Sequence, residues 1–174
     1  MAIQFHTLSK EPSSLHAAFP KVAAIAHELR TCLDRDEAQL ELKARHVFGA
    51  SSHAIQEVIL KDATALGFQS EKKGLFGGYS VAQLRPDYYM AVEDSGILLE
   101  VERGKAITNN MDLLDLWKCH ICAHASFLFL VVPVERPSEN QRKVKAFQDA
   151  CRRLAPFFEP KNYVNVDAVF LFGY

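Results

Sequence analysis

The stretch Arg85-Pro86-Asp87-Tyr88-Tyr89-Met90-Ala91-Val92, then Glu93-Asp94-Ser95-Gly96, then Ile97-Leu98-Leu99-Glu100-Val101-Glu102-Arg103, decides how this chain folds. Two runs rich in aromatic, aliphatic and β-branched residues flank four residues with turn chemistry, the pattern of a β-hairpin. A four-residue loop would pair Val92 with Ile97, setting Asp87 opposite Glu102 and Glu100 diagonal to Asp87. Directly opposed residues lie about 5 Å apart and diagonal ones about 7–8 Å. Glu100 and Glu102 share a face because strand side chains alternate. Three carboxylates therefore converge. Ile97, Leu98, Leu99 and Val101 make the second strand a buried one, and a dry core does not tolerate neighbouring carboxylates without compensation. Their mutual repulsion raises each pKa. A bound Mg²⁺ (or Mn²⁺) relieves it, because hard oxygen ligands suit such an ion. A lone Glu-x-Glu is usually a solvent-facing edge strand; the preceding Pro86-Asp87 and the following Gly104-Lys105 lengthen the pattern.

Outward from the hairpin, periodic apolar residues from Leu15 to Leu29 predict a helix to about Leu33, with Pro20 implying a kink or two shorter helices. Residues 34–48 read as a second, more charged helix. Ser51 and Ser52 are expected to cap a helix from His53 to about Leu66, ended by Gly67, with a strand over 68–71 after it. Beyond the hairpin, Asn109 and Asn110 open a helix to about Ala125, Phe127–Pro133 form a central strand, Ser138 caps a helix to Leu154, and Val166–Phe172 close the sheet. Strands bracketed by helices give an α/β (α+β) fold with a mixed central sheet flanked by helices.

With 174 residues, 49% of them apolar and 24% charged, the chain reads as a single domain over 1–174 with length enough to bury a core. Residues 1–48 form its helical N-terminal part and 50–135 its motif-bearing core. The longest apolar run, Phe127–Val134, is far too short to span a bilayer and suits a strand, so no membrane association is expected. No secretory leader pattern opens the chain. A reducing cytoplasm follows, with Cys32, Cys119, Cys122 and Cys151 as free thiols. The net charge of −1 supplies no basic surface overall, although Lys72, Lys73, Arg85, Arg103 and Lys105 flank the hairpin.

The order Pro86-Asp87, Glu100-Val101-Glu102, helix, strand resembles the PD-(D/E)xK nuclease superfamily over about residues 50–135. It is most similar to type II restriction endonucleases that carry glutamate where most members carry lysine. That resemblance implies a restriction-endonuclease-like fold and a Mg²⁺-dependent endonuclease that hydrolyses phosphodiester bonds of DNA, working as a homodimer if it cuts both strands. It makes Asp87, Glu100 and the Val101 carbonyl metal ligands and puts Glu102 beside the attacking water. Glu57 is a further carboxylate from the preceding helix, and Lys105 a contact to the scissile phosphate. The glutamate at 102 leaves three alternatives: it positions a second ion or the water, Lys105 reaches back, or the site is inactive.

Cys119-His120-x-Cys122-x-His124 does not read as zinc ligation, because its four candidates sit on successive helical positions that point to different faces. Trp117 reads as core or dimer interface. A reading from another class is a non-catalytic nucleic-acid-binding or assembly module on a nuclease-like scaffold, since fold does not fix function.

Overall fold

Three strands have no exposed side at all. Ser95–Val101 (β4), Phe127–Val132 (β5) and Ala168–Gly173 (β6) are buried at every position, as expected where helices cover both faces of a sheet. They run parallel, with Ile97 beside Phe127 and Phe127 beside Ala168. In the computed structural model, which describes residues 2–47, 52–70, 74–80, 84–103, 109–136 and 144–174, antiparallel strands complete both edges. Tyr88–Val92 (β3) pairs with β4, and Gln69–Ser70 (β2) pairs with β3. On the far side Gln4–Ser9 (β1) pairs with β6. The order across this mixed sheet is β1-β6-β5-β4-β3-β2.

Alternation along the central strands divides the core in two. Ile97, Leu99, Phe129, Val131 and Phe170 meet Val22, Ala26 and Leu29 of Phe19–Leu33 (α1), Leu42 of Asp36–Arg45 (α2), and Ile55 and Ile59 of Ser52–Ala65 (α3). Phe129 is central here, its ring 5.8 Å from Phe68 and 5.2 Å from Phe170. On the opposite face Leu98, Leu128, Leu130 and Leu171 meet Leu116 and Cys119 of Met111–Ile121 (α4), and Phe147, Ala150 and Leu154 of Ala146–Leu154 (α5). Among the described residues no helix is long and apolar enough to cross a membrane.

Several local expectations are corrected. The hairpin turn has two residues, not four: Val92 pairs with Ser95 and Tyr88 with Leu99. Glu93 makes this tight reversal by adopting φ 57°, the left-handed conformation that two-residue hairpin loops require. Pro20 produces no kink, because α1 begins at Phe19 and the proline occupies its first turn, where no N–H is needed. The N-terminal part is not purely helical: residues 4–9 are the edge strand β1, so β6 lies inside the sheet rather than closing it. α5 starts at Ala146, since Val144 is still extended in a bridge with Arg136. Ser51 and Ser138 lie outside the described residues.

Gly96 shows how closely the hairpin is packed. A Cβ there would sit 2.5 Å from the Tyr89 ring and 2.6 Å from the His124 carbonyl, which the Tyr89 hydroxyl reaches at 3.2 Å. Gly96→Ala is therefore expected to destabilise the chain by about 1–3 kcal/mol, the usual cost of overpacking. Urea unfolding measures this, and a neutral outcome would contradict the packing described.

Candidate functional site

The two-residue turn moves the β3–β4 register by two positions, which preserves the face but changes the partner. Continued one step past Tyr88 and Leu99, it sets Asp87 across from Glu100, not Glu102. The Asp87 backbone N–H donates to Glu100 Oε2 at 3.2 Å. Asp87 Oδ2 accepts the Val101 N–H at 2.8 Å, and Oδ1 accepts Gln56 Nε2 at 2.9 Å. A side chain thus takes the place of the neighbouring strand just where β3 gives out, and α3 braces it from the other layer.

The remaining groups come from α4. Lys118 Nζ donates to Glu100 Oε1 at 2.5 Å and lies 2.8 Å from Asp115 Oδ1. All three are buried, Asp115 completely. One turn earlier Asp112, also fully buried, forms an ion pair with Arg153 of α5, its Oδ2 3.0 Å from Nε. Asp112, Asp115 and Lys118 recur every three residues, which stacks them on one helix face. That face turns to the sheet together with Leu116 and Cys119, so the buried side of α4 carries a polar row beside an apolar one. This repeat was visible in the sequence; it marks Lys118 and Asp115 as site residues that the hairpin pattern alone did not reveal. Gln56 carried no comparable signal.

Carboxylates outnumber cations here. Burial pushes Glu100 well above the ordinary range, and Asp115 adds to it while Lys118 opposes. Burial raises Asp115 to about 6 despite Lys118. Asp87 also rises through burial, against the stabilising Val101 N–H and Gln56 amide. Glu102, just beyond β4, is pushed up to about 7 by burial and by Asp115 and Asp87. For Lys118 burial works to lower the pKa, but Glu100 and Asp115 outweigh it and hold the ammonium charged. Among the described residues no three His, Cys, Asp or Glu side chains gather into a ready-made metal cage. The groups that could hold an ion here are Asp87 and Glu100 with the adjacent main chain. Two carboxylates and an excess of buried negative charge fit a Mg²⁺-type cation, which keeps much of its water.

Glu102 is held by its backbone: its N–H donates to the Val131 carbonyl at 2.8 Å, and its own carbonyl accepts the Tyr174 hydroxyl at 3.2 Å. Glu57 stands elsewhere. It is half exposed and pairs with Arg45 Nη1 at 2.8 Å and with His53 Nε2 at 3.3 Å, while the preceding Gln56 turns to Asp87. Lys72, Lys73 and Lys105 lie outside the described residues. Arg103 donates to the Val47 carbonyl. Of the Cys/His group, Cys119 and Cys122 are buried and His120 Nδ1 accepts the Asn165 N–H at 2.9 Å. Trp117 is 40% exposed, on the outer side of α4.

No protein-family model matches the sequence, and no curated protein does. Among solved structures the chain is similar to the restriction endonuclease BglII in complex with a DNA 16-mer. That alignment has a TM-score of 0.48 at 10% identity and covers 99% of this chain and 78% of the other.

Two stability measurements test these electrostatics. Glu102 titrates higher in the folded chain than its ordinary 4.5, so its ionised form costs stability. That cost is absent at low pH, grows between about 4.5 and 7, and is complete above. In metal-free buffer Glu102→Gln should accordingly raise Tm at pH 8 and change it little at pH 5; an unchanged or lower Tm at pH 8 would contradict this. Lys118→Met strands Glu100 and Asp115 and should cost about 3–5 kcal/mol, the range for breaking a buried ion pair. Chemical denaturation at pH 8 reads it.

Proposed function

We propose that the chain is a divalent-cation-dependent endonuclease that hydrolyses phosphodiester bonds of DNA. The observation supporting this most strongly is the junction of Asp87 and Glu100 at the end of a hairpin, with the Lys118 ammonium 2.5 Å from Glu100. Buried carboxylates set against each other are unfavourable for folding alone, and a site that tolerates them is a candidate for chemistry. The proposed ligands are Asp87, Glu100 and the Val101 carbonyl. A bound Mg²⁺ or Mn²⁺ would supply Lewis acidity toward the phosphoryl group and ease ionisation of a nearby water.

The chain's own groups do the rest. Gln56 and the Val101 N–H orient the Asp87 carboxylate. Glu102 orients the attacking water and accepts its proton, for which a pKa near neutrality is suited. Lys118 brings the positive charge that the resemblance assigns to position 102, from the helix instead of the strand. Held between Glu100 and Asp115, it lies ready to offset negative charge as it develops on the phosphate. Asp115 fixes that ammonium, and Arg153 with Asp112 ties the start of α4 to α5. Cleavage of both strands of a duplex calls for two copies related by a two-fold axis, matching the symmetry of a palindromic site.

A second reading has its own support. Each Asp87 oxygen already accepts a hydrogen bond, and Lys118 already neutralises part of Glu100. A scaffold that binds nucleic acid or assembles without cutting it would look the same. Calorimetric titration with Mg²⁺ and Mn²⁺, beside a plasmid-nicking assay, separates the two. The nuclease should bind the ion with release of Lys118 from Glu100 and should nick plasmid. Asp87→Asn and Glu100→Gln, which keep shape and remove charge, should lower nicking by about 10²-fold or more while unfolding cooperatively. Full cleavage by either purified variant would sink the proposal; absent ion binding would favour the second reading.

A further inference from the structure

We infer that the open edge of β1 is a docking slot for an extended, acidic segment of another protein, which adds a strand to the sheet. Among the described residues β1 has a ladder partner on one side only. The bond from Lys10 N–H to the Asp167 carbonyl, 3.0 Å long, sets the phase of that ladder. In an antiparallel pair, bonded and non-bonded positions alternate. Gln4, His6 and Leu8 therefore turn their N–H and C=O toward β6, and Phe5, Thr7 and Ser9 turn theirs outward. Such a row is a template for an incoming chain.

What flanks the edge specifies the occupant. A groove of about 720 Å³ runs along the start of β1, with Arg30 of α1 on one side and Phe147, Gln148 and Arg152 of α5 on the other. Asp34 stands at its head, where Oδ1 accepts the outward Ile3 N–H at 2.5 Å, and among the described residues no carboxylate lines the rest. The Arg30 guanidinium lies 5.4 Å over the Phe5 ring, and Arg152 is 79% exposed. Arg152 shares Asp149 at 2.8 Å in a surface pair that contributes little and exchanges for another carboxylate, while Asp34, 3.6 Å from Arg30, is anchored on the Ile3 N–H and holds the Arg30 guanidinium only loosely. An added strand would present successive side chains to opposite faces, so acidic residues at adjacent positions would meet Arg30 on one face and Arg152 on the other. The charges favour an acidic segment over a second copy of this chain. Its own strand, Gln4-Phe5-His6-Thr7-Leu8-Ser9, brings no carboxylate into either cationic wall. Nucleic acid lacks the alternating N–H and C=O groups that would complete the ladder.

The test uses the whole chain and the fluorescein-labelled peptide TEEVEET, followed by fluorescence anisotropy and amide hydrogen exchange. Saturable binding is expected, with slower exchange at the Phe5, Thr7 and Ser9 amides. The double variant Arg30→Glu/Arg152→Glu should weaken it by about tenfold or more. On the unaltered protein, the same peptide N-methylated at alternate amides should lose affinity to a similar degree, a control that does not depend on any variant folding. The inference is overturned by an absence of saturable binding, or by equal affinity for the N-methylated peptide. It is equally overturned if those three amides are protected by self-association without peptide. Duplex DNA that binds in preference to the peptide and is lost in the double variant would also overturn it.

Discussion

The Lys118 ammonium, buried between Glu100 and Asp115, is the interaction on which the acidic end of the sheet depends. Two carboxylates in a dry interior repel, and each is costly on its own. One cation shared between them turns a repulsion into a network that joins β4 to α4. The Asp87 main chain then leans on the other oxygen of Glu100, and the Asp87 side chain caps the end of β4 that β3 leaves without a partner. Remove the ammonium and each later contact loses its reason to form. The same arrangement confers a bias in charge that an added divalent cation would correct.

The hairpin register matters for a different reason. Because the two-residue turn displaced the pairing by an even number of positions, the carboxylates stayed on one face, and only their partners changed. An odd displacement would have sent Asp87 to the face of α1 and α3 and dissolved the cluster. Glu93, holding φ 57° without being glycine, is thus a local conformational cost on which the geometry of distant side chains rests.

How much could be read beforehand follows from what each feature depends on. The central strands were plain, because Leu98-Leu99 and Phe127-Leu128-Phe129-Leu130 are apolar without alternation, and only strands covered on both faces look like that. The helices on either side followed from their apolar spacing. The hairpin itself was legible, but its pairing was not, since composition marks a turn without counting its residues. β1 escaped because an edge strand is buried on neither face strongly enough to leave a pattern, and Val144 escaped because its bridge to Arg136 is a tertiary contact. Glu57 and Gln56 are adjacent on one helix, and which of them turns to Asp87 is settled by where α3 packs. Lys118 is legible only where a helix is read for charge at a spacing of three, a register that apolar periodicity does not reveal.

Asp87 and Glu102 are both acidic and both near the proposed reaction centre, yet they stand in opposite relations to the fold. Asp87 replaces a missing strand for Val101, so the molecule needs it even at rest. Among the described residues the Glu102 carboxylate holds no neighbouring element in place, and once ionised it weighs against folding. Under relaxed selection for chemistry, drift would therefore erase Glu102 early and leave Asp87 standing. Descendants without the proposed activity would still display the aspartate, and the residue that looks most like a signature would be the poorer guide to whether that activity survives.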